Sequence, residues 1–275
     1  MVNMAGLEFG INSNGQKGDK NLPPDLTQVD DFVNQGFNMI RIPFGWQFIQ
    51  PTLKGELDPT QLALLDKHVN AVLAKKAYVI IDLHNYARHE GKIVGQSDVG
   101  ADALVDLWTR LAVHYKDQRH VTFGLMNEPH DVDSKTWIGT LQQVVTAVRK
   151  AGAIRTKLIL PGNAWSHPTT FANDYNLGLS GIKNPDGTHH GLIFEFHQYF
   201  DNDGVGTQRE CSQDHIDELN SAVALLKKDG RQALITEMGG GNSQSCTADL
   251  NTILHDAPQN YPTIIGALIW GGGSF

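Results

Sequence analysis

The chain is poor in cysteine, in positive charge and in long apolar runs, and each shortage removes a class of function. Its only thiols are Cys211 and Cys246. Two thiols make no zinc site, and their spacing fits no ligand motif, so they are either buried free thiols or one disulfide joining two loops. The 22 basic and 30 acidic side chains give a net charge of -8. That balance argues against nucleic acid or another polyanion as the main ligand and fits a neutral or cationic substrate. No apolar run approaches the roughly 20 residues that span a bilayer, so no membrane partner is expected. Also missing are a G-x-G-x-x-G dinucleotide turn, a zinc-binding H-E-x-x-H and a G-x-S-x-G serine elbow. No cofactor and no catalytic metal are expected.

What is present is an alternation. Of the 275 residues, 40% are hydrophobic, enough for a large core. Short apolar runs occupy 4–11, 38–42, 78–83, 121–126, 158–160, 192–196, 233–236 and 264–269. Several are apolar on both faces, as in Tyr78-Val79-Ile80-Ile81, the mark of parallel strands covered on both sides. Between them lie helical patterns. Asp58-Pro59-Thr60-Gln61 supplies an N-cap, a first-turn proline and a third-position glutamine. Asp133 or Ser134 caps a helix carrying Trp137, Leu141, Val144, Val145 and Val148. Further helices are expected near 27–35, 101–115, 214–228 and 248–260, whereas 168–179 is weakly helical at best. Eight alternating strands predict one (β/α)8 TIM barrel over residues 1–275. A doubly wound open sheet is the runner-up. Few residues follow Trp270, so the barrel is expected to lack its last helix, as a carboxyl-terminal truncation would leave it.

Barrel active sites form at the carboxyl ends of the strands. Those ends carry Arg41, then His84 with Asn85, Asn127 with Glu128, Asn163 with Trp165, His197 with Tyr199, Glu237, and Trp270. The segment Met126-Asn127-Glu128-Pro129 is the most telling of them, because proline stops the strand and leaves a carboxylate at its tip. Each residue also has a structural reading: Arg41 as an ion-pair partner, His84 and His197 as core histidines, Tyr199 and Trp270 as rim fillers. Two glutamates at opposite strand tips suit displacement at an acetal carbon, where one carboxyl delivers a proton and the other traps the oxocarbenium-like centre. Retention of configuration would need the two carboxyls about 5–5.5 Å apart. Like charges so close push one pKa up, which makes that residue the acid.

The segments Asn38-Met39-Ile40-Arg41-Ile42-Pro43, Asp82-Leu83-His84-Asn85-Tyr86, Gly124-Leu125-Met126-Asn127-Glu128-Pro129-His130, Gly162-Asn163-Ala164-Trp165, His197-Gln198-Tyr199, Thr236-Glu237-Met238-Gly239 and Ile269-Trp270-Gly271 together resemble glycoside hydrolase family 5, in particular its fungal endoglucanase II-type cellulases. They run in family order along nearly the whole chain. The resemblance implies a retaining endo-β-1,4-glucanase acting on cellulose and related β-glucans, with Glu128 as acid/base and Glu237 as nucleophile. Asn127 would hold the sugar 2-hydroxyl, and His84, His197, Tyr199 and Trp270 would line that subsite; Arg41, counted with the substrate-binding residues, would anchor the Glu237 carboxylate and keep it ionised. Trp165 and Trp46 are weaker candidates for stacking at neighbouring subsites. The resemblance further implies a Cys211–Cys246 disulfide, a monomer, a β-1,4-glucan as partner and an extracellular location. The amino terminus itself shows no basic-then-apolar leader. A β-mannanase or xyloglucanase would use the same machinery, and a non-catalytic carbohydrate-binding barrel would be expected to lack one of the glutamates. An aldolase or isomerase barrel would want a strand-tip lysine, and none is present.

Overall fold

The computed structural model describes residues 1–202 and 204–275. Its barrel strands are β1 (Val2–Ala5), β2 (Met39–Phe44), β3 (Tyr78–Leu83), β4 (Val121–Gly124), β5 (Lys157–Leu160), β6 (Leu192–Tyr199), β7 (Gln232–Gly239), β8 (Ile264–Ala267) and β9 (Ile269–Gly273), and Arg88–His89 with Lys92–Ile93 form a separate antiparallel pair. In the barrel all neighbours pair in parallel, in chain order from β1 to β8, and β9 pairs with β1. The eighth barrel strand is therefore split. Its first piece leans on β7 and its second on β1, and the changeover is bridged by Leu268 N to Ile235 O at 2.8 Å and Ile269 N to Met1 O at 3.1 Å. A single segment closes the ring and leaves no open sheet edge there. The expected first strand at 4–11 is corrected: the strand ends at Ala5, and the following Gly6–Gly10 stretch turns away, with Gly6 at φ 143° and Gly10 at φ 91°.

Helices follow the first seven strands: α1 (Thr27–Asn34), α2 (Pro59–Ala74), α3 (Ala101–Tyr115), α4 (Ser134–Lys150), α5 (Pro168–Leu177), α6 (Ile216–Lys228) and α7 (Gln244–Gln259). Asp58 accepts from Thr60 N and Gln61 N, and Asp133 accepts from Thr136 N, so both expected caps form. Such a cap is worth about 1 kcal/mol. Segment 168–179 is a real helix for most of its length, contrary to expectation. Pro168 opens its first turn, His167 caps Thr169 N, and Phe171 and Tyr175, four residues apart, bury together. Among the described residues, no helix follows β9, and none is long and apolar enough to cross a membrane. On the outer side of the last strand Ala267 and Ile269 are only partly covered.

Two apolar layers position the site. Ile80, Ile159, Ile193, Leu234 and Leu268 form an inner cluster contributed by strands around the ring. Their outward neighbours, such as Ile81, Phe194 and Ile235, join the larger core beneath the helices. Period-two alternation then places the next inward residues, Asp82, Glu195 and Thr236, one step nearer the strand carboxyl ends. The barrel is thus apolar low down and polar near its mouth.

Candidate active site

The mouth is organised around a buried guanidinium. Arg41, on β2, is fully enclosed. Its Nη1 donates to Glu237 Oε1 at 2.6 Å and to Asn3 Oδ1 at 3.0 Å. Its Nη2 donates to Asn127 Oδ1 at 2.8 Å and meets Asp82 Oδ2 at 2.9 Å. Burial alone would lower its pKa, but Asp82 and Glu237 beside it outweigh that and raise it. The group is thus a fixed positive charge under Glu237.

Glu237 also accepts from the Tyr199 hydroxyl through Oε2 at 2.8 Å. Across from it, Glu128 Oε1 lies 2.6 Å from His197 Nδ1, which in turn lies 3.6 Å from Glu237 Oε2. One donor atom from each of Glu128, His197 and Glu237 falls within 4.8 Å of the others. A register shift in β6 between Phe196 and His197 pairs His197 with Glu237, so the two residues turn into the mouth together. Glu128 takes a left-handed backbone conformation at φ 44° just before Pro129. Such a conformation costs a non-glycine residue about 1 kcal/mol or more and is found where a side chain must be aimed.

Burial dominates the protonation chemistry. It pushes Glu128 up to about 7, against the pull of His84 and Arg41. It pushes His197 down to about 4, so the imidazole is neutral, and its Nδ1 shares a hydrogen bond with Glu128 Oε1. His84 goes the other way: burial would lower it, yet Asp82, 3.1 Å from Nδ1, and Glu8 raise it. Tyr199 is raised well above the usual phenol value by burial and by Glu237. Its hydroxyl therefore stays a donor.

These groups open into a cavity of about 570 Å³. His84, Glu128, Trp165, His197, Tyr199, Glu237 and Trp270 all line it, with Tyr86, Ser13, His167 and Val205. Trp270 stacks on His84 with ring centres 5.6 Å apart. Trp165 is 42% exposed and lies flat on His130, 3.9 Å away at an angle of 3°. Arg41 and Asn127 stand beneath the cavity rather than in its wall. The Asn127 amide nitrogen is buried with no hydrogen-bond partner among the described residues.

Trp46, Asn85 and Asn163 do not line the cavity, and the expected disulfide is present. Trp46 is fully buried, with Nε1 donating to Gln50 Oε1 at 3.0 Å, and is core rather than a stacking surface. Asn85 and Asn163 hold loops: Asn85 accepts from Trp46 N, and Asn163 donates to Val132 O. Cys211 and Cys246 are joined, with Cα atoms 4.8 Å apart. The bridge ties the segment after β6 to the first turn of α7. Sequence reading missed Tyr86, Asp82, Glu195 and Glu8. Asp82 and Glu195 each interrupt an apolar strand, and that interruption was the available signal.

Comparison with known proteins agrees with this geometry. The family described as Cellulase (glycosyl hydrolase family 5) matches residues 3–273. Endoglucanase EG-II of Hypocrea jecorina is 41% identical over 291 residues, covering 100% of this chain and 70% of the relative. Endoglucanase 1 of Saitozyma flava is 39% identical over 277 residues, covering 100% and 81%. The crystal structure of Cel5A (EG2) from Hypocrea jecorina (Trichoderma reesei) superposes with a TM-score of 0.97 at 40% identity, covering 100% of this chain and 88% of that one. The barrel, the carboxyl pair at its mouth and these matches together make the chain a member of glycoside hydrolase family 5.

Proposed function

We propose that the chain is a retaining endo-β-1,4-glucanase that cleaves internal bonds of cellulose and related β-glucans, with Glu237 as nucleophile and Glu128 as acid/base. The observation that carries this reading is the carboxyl pair. One oxygen of each carboxyl lies within 4.8 Å of one oxygen of the other; Glu237 sits on the Arg41 guanidinium, and Glu128 is raised to about 7 by burial. Such closeness suits retention; inversion needs about 6.5–9.5 Å, to admit a water between the carboxyls.

In the first step Glu237 attacks the anomeric carbon while Glu128 gives its proton to the leaving oxygen. A glycosyl–enzyme ester forms and the C–O glycosidic bond breaks. In the second step Glu128, now a carboxylate, takes a proton from water, which attacks the anomeric carbon and frees Glu237. Arg41 and the Tyr199 hydroxyl hold the attacking carboxylate in line. Asn127, bonded to Arg41 Nη2 beneath the cavity, would reach a sugar hydroxyl at the cleavage site only through a small movement that exposes its unpaired amide nitrogen. Trp270, backed by His84, offers a face to that sugar, and Trp165 offers one farther out on the rim. Residues 1–275 would act as one catalytic domain, as a secreted monomer on a polymeric substrate.

The test is Glu237→Gln. Turnover of carboxymethylcellulose should fall by about 10³-fold or more while the folded signature in circular dichroism persists. Wild-type-like turnover would remove Glu237 from the mechanism. A panel of glucan, mannan, xyloglucan and xylan, read by reducing ends, assigns the polymer; faster cleavage of mannan or xyloglucan would replace the glucanase reading.

A further inference from the structure

Glu195 is a carboxyl group that the chemistry above does not use. It points inward from β6, is 1% exposed, and lies two residues before His197. Its partners are hydroxyls and not cations. Thr236 Oγ1 donates to Oε2 at 3.0 Å, and Ser166 Oγ donates to Oε1 at 3.4 Å. Both partners sit next to site residues. Thr236 precedes Glu237, and its carbonyl accepts from Asn3 Nδ2 at 2.9 Å. Asn3 in turn accepts from Arg41 at 3.0 Å, which completes a chain of contacts back to Glu237. Ser166 follows Trp165.

The Ser166 side of this bridge is strained. Ala164, Trp165 and Ser166 hold φ of 51°, 64° and 58° in succession. Each left-handed non-glycine residue costs roughly 1–2 kcal/mol, so such a run persists only where the surroundings hold it. Trp165 is held from one side by the His130 ring. On the other side Ser166 is buried, and Glu195 is what its hydroxyl reaches.

We propose that Glu195 is a positioning residue of the cleavage site, whose carboxyl group clamps the strained Trp165 segment to the strand end that bears Glu237. This rests on the glycosidase reading given above.

The clamp is also pH-sensitive. The charged groups that act on Glu195 are Arg41 from β2, Asp82 from β3 and Glu237 from β7; β5 and its loop offer it only Ser166. Burial pushes Glu195 up to about 8, Arg41 opposes this, and Asp82 and Glu237 reinforce it. Below that pH the carboxyl is neutral. Above it, a second negative charge appears beneath Glu237 and competes for the same guanidinium.

The experiment uses the intact chain and 2,4-dinitrophenyl β-cellobioside. Its leaving group departs without a proton, so the acid role of Glu128 drops out of kcat/KM. The wild-type profile should fall on an alkaline limb near pH 8. In Glu195→Gln that limb should move up by at least one pH unit. His84 titrates in both proteins and does not separate them. Ser166→Ala should raise KM for cellopentaose several-fold with little change in kcat, through a loosened Trp165. A Glu195→Gln profile that is lower by one constant factor at every pH would reduce Glu195 to a structural contact and overturn the proposal. Should that variant not fold, Thr236→Val removes the same bond, and its unshifted limb would overturn the proposal equally. Wild-type enzyme and Glu237→Gln are run alongside. An inactive wild type, or an active Glu237→Gln, would count against the glycosidase reading instead.

Discussion

At the scale of single residues, the site depends on two carboxyl groups in unlike surroundings. Glu237 rests on a guanidinium at 2.6 Å, whereas Glu128 rests on a neutral imidazole at 2.6 Å. With burial holding Glu128 at about 7, its proton is present below that pH and lost above it. Turnover of unactivated glucan should therefore fall through an alkaline limb near pH 7, read from kcat/KM between pH 4 and 9. Glu128→Ala should regain rate on the dinitrophenyl glycoside when azide is added, and the product should be the β-glycosyl azide. Absence of any azide product would take the acid/base role away from Glu128. Both glutamates were legible in the sequence because each ends an apolar run at a strand tip. Their supports were harder to see. Asp82 and Glu195 lie inside strands, where each breaks an apolar run without marking a strand tip, and Glu8 lies in what was read as strand. Only the ring closure of the barrel brings Asn3, Arg41 and Glu195 to one place.

Among the elements, the loop after β6 depends most on a covalent tie. Asp201 accepts from Gly206 N, Thr207 N and Gln208 N, which ties 206–208 to the end of β6. There Gly206 packs so close to the Tyr199 ring that a Cβ on it would sit 2.4 Å from Cδ1. The Cys211–Cys246 bridge then pins the far end of the loop to α7. With the cysteines 35 positions apart in sequence, loop-closure entropy puts the bridge at roughly 3–4 kcal/mol. Cys211→Ser with Cys246→Ser should lower the melting temperature by roughly 10 °C. The variant should also raise KM more than it lowers kcat, since Val205 of this loop lines the cavity. An unchanged melting temperature would show that hydrogen bonding alone holds the loop. The pairing itself was legible only through family resemblance, because two cysteines fix no partner without geometry. Helix α5 was nearly missed for a related reason: its cap is a histidine, an uncommon choice, and its apolar stripe is only Phe171 and Tyr175.

For the molecule as a whole, the barrel was readable because its strands are short and apolar and each of the first seven is followed by a helix; the split of the last strand was not, since the 264–269 run carries no proline or polar break at Leu268. The assembled barrel has a further consequence, its stability against pH. Four groups inside the barrel or its mouth set the curve. Glu128 and Glu195 rise from 4.5 to about 7 and about 8 on folding, and His167 and His197 fall from 6.5 to about 4. Stability rises with pH wherever the unfolded chain binds more protons and falls where the folded chain does. Between about pH 4.5 and 6.5 the folded state holds extra protons on the two glutamates, and the unfolded state holds them on the two histidines. The two effects oppose each other, and the melting temperature should be nearly flat. Above about 6.5 the histidines are neutral in both states, while the glutamates still hold protons only in the fold. Stability should then drop until about pH 8. The raised His84 and Glu8 act in the same direction, and the lowered amino terminus of Met1 acts against them. Below about 4.5 the unfolded glutamates are protonated too. The histidines, and aspartates such as Asp201 that the fold holds below 3.8, then destabilise it. Melting temperature measured by intrinsic fluorescence from pH 3 to 9 should trace a plateau with a fall on either side. Glu195→Gln removes one proton from the alkaline balance, so its fall above pH 6.5 should be shallower than that of the wild type. A wild-type curve that climbs from pH 6.5 to 8 would mean that the interior carboxyls are ionised in the fold, paired by Arg41 more strongly than burial opposes.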